Sequence, residues 1–128
     1  MIGAYEKGEP WFGYYWEPTW VIGTVDMTRL EEPPYDEEVW EATRGCAYPE
    51  AKIIIQAHAG LQDSAPEVVE LLENWETTSA LNNKILAYMQ KYDADAEEAA
   101  IYFLQENEST WTKWVPSDVA EKVKAALP

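Results

Sequence analysis

The sequence predicts a mixed α/β fold, with few short strands followed by several helices, and three observations carry that expectation. An almost wholly aromatic run, Trp11 to Trp16, sits between Pro10 and Pro18. A β-branched run fills Lys52 to His58, and from Ser64 onward apolar residues recur at helical spacing.

Taken in order, Trp11 to Trp16 reads as a short buried strand, because aromatic side chains suit a pleated, half-buried surface. Thr28 to Glu32 is a second candidate, stopped by Pro33 and Pro34, which have no N–H to give to a ladder. Lys52 to His58, flanked by Pro49 and Gly60, is the best candidate for a central strand. Ser64-Ala65-Pro66-Glu67 then has the S-x-x-E spacing of a capping box, ahead of an apolar face formed by Val68, Leu71, Leu72 and Trp75. Leu81, Ile85, Tyr88 and Tyr92 continue the helical period. Ala96, Ala99, Ala100, Phe103 and Leu104 repeat it after Asp95, whose carboxylate can cap while Glu98 takes the third helical position. Ser117 is placed to cap a last helix running through Val119, Val123 and Leu127.

The chain has 128 residues, 47% of them hydrophobic and 26% charged, a balance that folds and that fits a single domain over 1–128. Nine basic against twenty-four acidic residues leave a net charge of −15, which repels phosphate backbones and favours cationic partners, so nucleic acid is excluded as a partner. No apolar stretch reaches the length that spans a bilayer. Met1 to Trp11 lacks the basic flank and apolar centre of a secretory signal, so the expectation is a chain that either works inside the cell or lacks its beginning.

A search for chemistry returns little. The single histidine, His58, closes the expected central strand, with no sign of a Ser-His-Asp or Cys-His system around it. The single cysteine, Cys46, sits in Gly45-Cys46-Ala47-Tyr48-Pro49 with no local signature of a nucleophile. Two such residues cannot make a zinc site. Asp93 to Glu98 begins like a calcium loop but has Glu98 where glycine is required and Leu104 where a bidentate glutamate is required. Glu31-Glu32 and Asp36-Glu37-Glu38 read as a solvated face, and no phosphate-cradling glycine loop occurs, so neither an enzyme nor a cofactor is expected. What remains is the aromatic content, seven Trp, eight Tyr and two Phe. Such residues ordinarily build a core. They also form the recognition surface for a quaternary ammonium ion, which has no hydrogen bond to donate and is held by aromatic faces around its methyl groups.

The segment Gly8-Glu9-Pro10-Trp11-Phe12-Gly13-Tyr14-Tyr15-Trp16-Glu17-Pro18-Thr19-Trp20-Val21 resembles a motif of the glycine betaine/choline-binding proteins of ABC transporters, an aromatic run ending Tyr-Trp-x-Pro-x-Trp. Leu30 to Asp36, Gly45 to Pro49, Ala65-Pro66-Glu67, Asp95 to Ala100 and Trp111 to Val115 are similar to the same family in the same order. The resemblance implies the C-terminal portion of a two-lobed, type II periplasmic-binding-protein-like fold. It implies a non-enzymatic component that captures a quaternary ammonium osmoprotectant and passes it to an ABC permease subunit, on the periplasmic or extracellular face of the cytoplasmic membrane. By the motif, Trp16 corresponds to one wall of the family's aromatic box and is the first ligand-binding candidate. Trp20 is the second, and Tyr14 would share a strand face with Trp16. Family members are longer, which implies a fragment, a split product or half of an assembly, with homo-oligomerisation or pairing with a missing N-terminal half as the expected partner relation. The rival reading is a small acidic protein-interaction module that self-associates without binding a solute.

Overall fold

A computed structural model describes residues 1–128, and it is all-helical. Nine helices follow in order: α1 Ile2–Glu6, α2 Trp20–Thr24, α3 Glu37–Thr43, α4 Leu61–Ser64, α5 Pro66–Asn74, α6 Ser79–Tyr92, α7 Ala96–Glu106, α8 Glu108–Trp111 and α9 Ser117–Ala126. The chain forms two compact units, one made of Met1–Asp26 with His58–Pro128 and the other of Met27–Ala57.

The absence of strands corrects the α/β expectation, and with it the type II binding-protein architecture. Trp11 to Trp16, Thr28 to Glu32 and Lys52 to His58 all run without regular structure. The reason is partnership. A strand needs a neighbour to satisfy its N–H and C=O groups, and β-branched or aromatic composition records only fitness for such a surface. The nearest approach to a ladder is a single bond, from the Ala47 N–H to the Pro33 carbonyl (2.8 Å), which makes no sheet.

The helical half follows its caps. Asp95 closes a full capping box on α7: its carboxylate accepts from the Glu97 and Glu98 N–H groups (both 2.9 Å), and the Glu98 carboxylate accepts from the Asp95 N–H (3.0 Å). Thr78 caps α6 through the Leu81 N–H (3.2 Å). Two expected caps are displaced. Ser64 is the last residue of α4 and donates its hydroxyl to the Gly60 carbonyl (2.9 Å), so α5 starts uncapped at Pro66, whose missing N–H is not needed in a first turn. Ser117 is already the first helical residue of α9, with Pro116 in the capping position.

In the larger unit the core gathers on Trp111, Trp114 and Ala120, with Leu71, Phe103, Leu104, Val115 and Val123 against them. Trp114 lies between two rings, stacked on Trp75 at 4.8 Å and on Phe103 at 5.6 Å. The Trp111 indole N–H donates to the Leu104 carbonyl (2.7 Å), so its polar edge is satisfied where the ring is buried. Lys124 on α9 holds Glu108 at the start of α8 (2.6 Å), which ties the C-terminal helix across to the tryptophan core. In the smaller unit Asp36 caps α3 through the Val39 N–H (2.9 Å), and Cys46 is buried with its Sγ 3.5 Å from the Asp36 carbonyl oxygen.

Candidate functional site

The aromatic motif occupies the approach to α2, and its geometry is set at the end of the run. Tyr15 and Trp16 stack at 4.9 Å with ring planes 23° apart, and Tyr14 lies 6.4 Å from Trp16 at 34°. Trp16 keeps 60% of its surface open and Tyr14 64%, so these rings are presented to solvent instead of being consumed by a core. Trp20 stands apart from them as the first, half-buried residue of α2. The structure therefore brings Trp16 together with Tyr14 and Tyr15, through consecutive residues and not along a strand face, and leaves Trp20 in a helix.

The segment between the two tryptophans is fixed by one buried side chain on α6. Asn83, 4% exposed, accepts a hydrogen bond from the Thr19 N–H (2.7 Å) and donates its amide N–H to the Glu17 carboxylate (2.6 Å). One amide thus holds both flanks of the cis Glu17–Pro18 peptide. Thr19 completes the turn. Its own hydroxyl accepts from the Val21 N–H (3.0 Å) and caps α2, which packs on α6 with Val21 and Val25 buried. Gly23 permits that packing, because a Cβ at this position would collide with the Asn83 backbone carbonyl. Asn83 and Gly23 act as one unit: the glycine brings α2 onto α6, and the asparagine then reaches the turn that carries Trp16.

Sequence reasoning missed Asn83, which lies 64 residues from Thr19 and belongs to no motif. The sequence carries no signal for it: Asn83 lies about 200° around the helix from Leu81, off the Leu81, Ile85 and Tyr88 stripe and on the face that it shares with Ala87 towards Gly23.

The site's electrostatics are simple. Glu17 places a carboxylate next in sequence to Trp16, and the chain carries a net charge of −15. A cation near the exposed indole meets an attractive field from both. Among the remaining chemistry candidates, His58 is exposed, with its Nδ1 accepting from the Gly60 N–H (3.0 Å), and Cys46 is buried. A shallow cleft between α6 and α7 is lined by Leu81, Lys84, Ile85, Tyr102, Glu106 and Asn107, and no residue of the aromatic motif borders it. No group of acidic, histidine or cysteine side chains is arranged to hold a metal ion.

No curated protein and no solved structure matches the chain. The family model of the substrate-binding domain of ABC-type glycine betaine transport systems matches residues 1–106, which include the whole Trp11–Trp20 motif, the turn at Glu17–Thr19 and the Asn83 clamp beneath it. By that match over most of its length, the chain belongs to the family of substrate-binding domains of ABC-type glycine betaine transport systems, a family of solute-binding proteins and not of enzymes.

Proposed function

We propose that this protein takes part in capturing a quaternary ammonium solute, glycine betaine or choline, through the exposed face of Trp16, and passes it to an ABC permease subunit on the periplasmic or extracellular side of the membrane. The observation that carries the reading is the pairing of the open Tyr14 and Trp16 rings, with half-buried Tyr15 stacked on Trp16, and a carboxylate on a turn pinned from beneath, Glu17 on Asn83. A trimethylammonium group needs polarisable ring faces and a negative field, and it needs no hydrogen-bond donor. Trp16 is the principal contact in this reading. Trp20 serves as a secondary contact from the start of α2.

The magnitude limits what one such surface does. Each exposed ring contributes about 0.5–1 kcal/mol to holding a cation, rising to about 2 kcal/mol when water is excluded. Three rings at about 0.5–1 kcal/mol each sum to about 1.5–3 kcal/mol, which corresponds to an affinity of several to tens of millimolar, whereas a closed box of desolvated rings reaches the micromolar range. The chain is accordingly proposed as the C-terminal portion of the binding protein, carrying one wall of the aromatic box.

The test is a titration of intrinsic tryptophan fluorescence with glycine betaine and with choline, using Trp16→Ala and Trp20→Ala as controls. A saturable change with a midpoint at several to tens of millimolar, abolished by Trp16→Ala and weakened by Trp20→Ala, supports the reading. An identical response from the Trp16→Ala protein sinks it.

A further inference from the structure

Ile53, Ile54 and Ile55 are the least explained residues of the smaller unit. Three consecutive isoleucines stand 89%, 59% and 50% exposed on a stretch, 47–58, that contains no turn or bend. None of the N–H or C=O groups of 51–57 is bonded to another part of the backbone. Apolar β-branched side chains and an open line of backbone donors and acceptors together form a surface made for another extended backbone. Within the smaller unit no such backbone is bonded to it.

We infer that residues 51–57 pair antiparallel with the same residues of a second copy of this chain, forming a dimer. Self-complementarity identifies the occupant. With Ile54 opposite Ile54, Ile53 falls opposite Ile55, Lys52 opposite Gln56 and Ala51 opposite Ala57. Alternation then puts Ala51, Ile53, Ile55 and Ala57 of both copies on one face, which is wholly apolar, and sets no like charges directly opposite. A shift by one residue mixes the two faces and loses that property.

Charge points to the same occupant. Two copies at −15 each repel one another over most of their surfaces, yet no acidic residue lies between Glu50 and Asp63, and Lys52 is the one charged residue in 51–57. In this register the two Lys52 residues are four positions apart, about 14 Å along the ribbon, beyond the screening length of roughly 8 Å at physiological salt. This is the stretch where two like-charged chains approach without penalty. A ribbon of two short strands is a small interface, so the dimer is a weak and reversible one.

Sedimentation velocity of the full chain, followed from about 10 μM to about 1 mM as befits a weak interface, reads the association. The expected result is a mass of 14.7 kDa at the dilute end rising towards twice that value, with raised salt strengthening the dimer. Ile54→Lys, on an exposed side chain with no backbone bond to lose, holds the protein at the monomer mass throughout while leaving its circular dichroism unchanged. The register is tested by cysteine cross-linking with oxidised glutathione. Ile54→Cys links to itself, because directly opposed residues lie within disulfide reach. Ile53→Cys links to Ile55→Cys in a mixture but not to itself, since the diagonal separation of roughly 7–8 Å is too long. A wild-type chain that stays monomeric at the highest concentration overturns the inference, as does a dimer that Ile54→Lys leaves intact. Self-linking of Ile53→Cys as readily as Ile54→Cys overturns the antiparallel register. These readings contain no solute, so they stand or fall apart from the solute-capture proposal.

Discussion

Replacing Asn83 by alanine removes the one side chain that holds both flanks of the Trp16–Trp20 turn, and the loss can be worked out bond by bond. The Thr19 N–H, in a residue 8% exposed, loses its acceptor and is left buried without a partner, at a cost of about 1–3 kcal/mol. The Glu17 carboxylate is exposed, so water replaces most of the bond it receives, and that loss adds about 1 kcal/mol or less. The expected total is about 1–4 kcal/mol. In urea unfolding followed by tryptophan emission, this lowers the midpoint by about 0.5–2 M with the slope unchanged. Asn83→Asp keeps an acceptor for Thr19 but sets a second carboxylate against Glu17, so its deficit is present at neutral pH and shrinks in acid as the repulsion is neutralised. An Asn83→Ala protein within about 0.5 kcal/mol of wild type would refute the clamp, because that is the range of an ordinary surface substitution.

Gly23→Ala exchanges a gain in helix propensity of about 1 kcal/mol for a collision with the Asn83 backbone, and a net loss of about 1–2 kcal/mol is expected in the same unfolding assay. Asp95→Ala opens the capping box of α7 and lowers stability by about 0.5–2 kcal/mol, with faster amide exchange confined to the first turn of that helix. Trp111→Ala empties the centre of the tryptophan core and costs about 3–5 kcal/mol, enough to show as a large drop in thermal midpoint. Two ion pairs give opposite pH dependences. Lys124 is raised above the ordinary lysine range, chiefly by its hydrogen bond to Glu108 and then by that to Glu121. Its contribution is therefore complete below the unfolded-state value and is lost as pH climbs through the folded one, so the difference in melting temperature between wild type and Lys124→Met closes at high pH. Asp118 is held below the usual carboxylate range by the Lys122 hydrogen bond, so its contribution is present above the unfolded-state value and vanishes as pH falls through the folded one.

Helices α6, α7 and α9 were legible because their signals are local. Asp95 and the apolar spacing of Leu81, Ile85 and Tyr88 or Ala99, Phe103 and Leu104 act within one or two turns, whatever surrounds them, whereas the Thr78 cap of α6 and the short α8 were not read. The three expected strands were not borne out, since strand formation depends on a partner that no single segment announces. Short helices escaped for a related reason. Asp36 with Glu37 and Glu38 is a readable start for α3, an acidic cap with acidic residues in the first turn, but the same residues pass as a solvated charge run. Thr19 is an equally good cap for α2, hidden because the Tyr-Trp-Glu-Pro-Thr-Trp segment reads as the end of a strand. Of the site, the aromatic residues stood out by composition, whereas Asn83 and Gly23 gain their meaning only when α2 lies on α6.

Whether Trp16 carries the cation is tested most directly by the nuclear Overhauser effect between the N-methyl protons of bound glycine betaine and the indole protons of this protein, assigned by comparison with Trp16→Phe. The account predicts cross-peaks to the Trp16 ring that saturate with solute and are lost in Trp16→Ala. Saturable binding whose cross-peaks fall only on other rings, such as Tyr35, Trp40 and Tyr48 in the smaller unit, would contradict it.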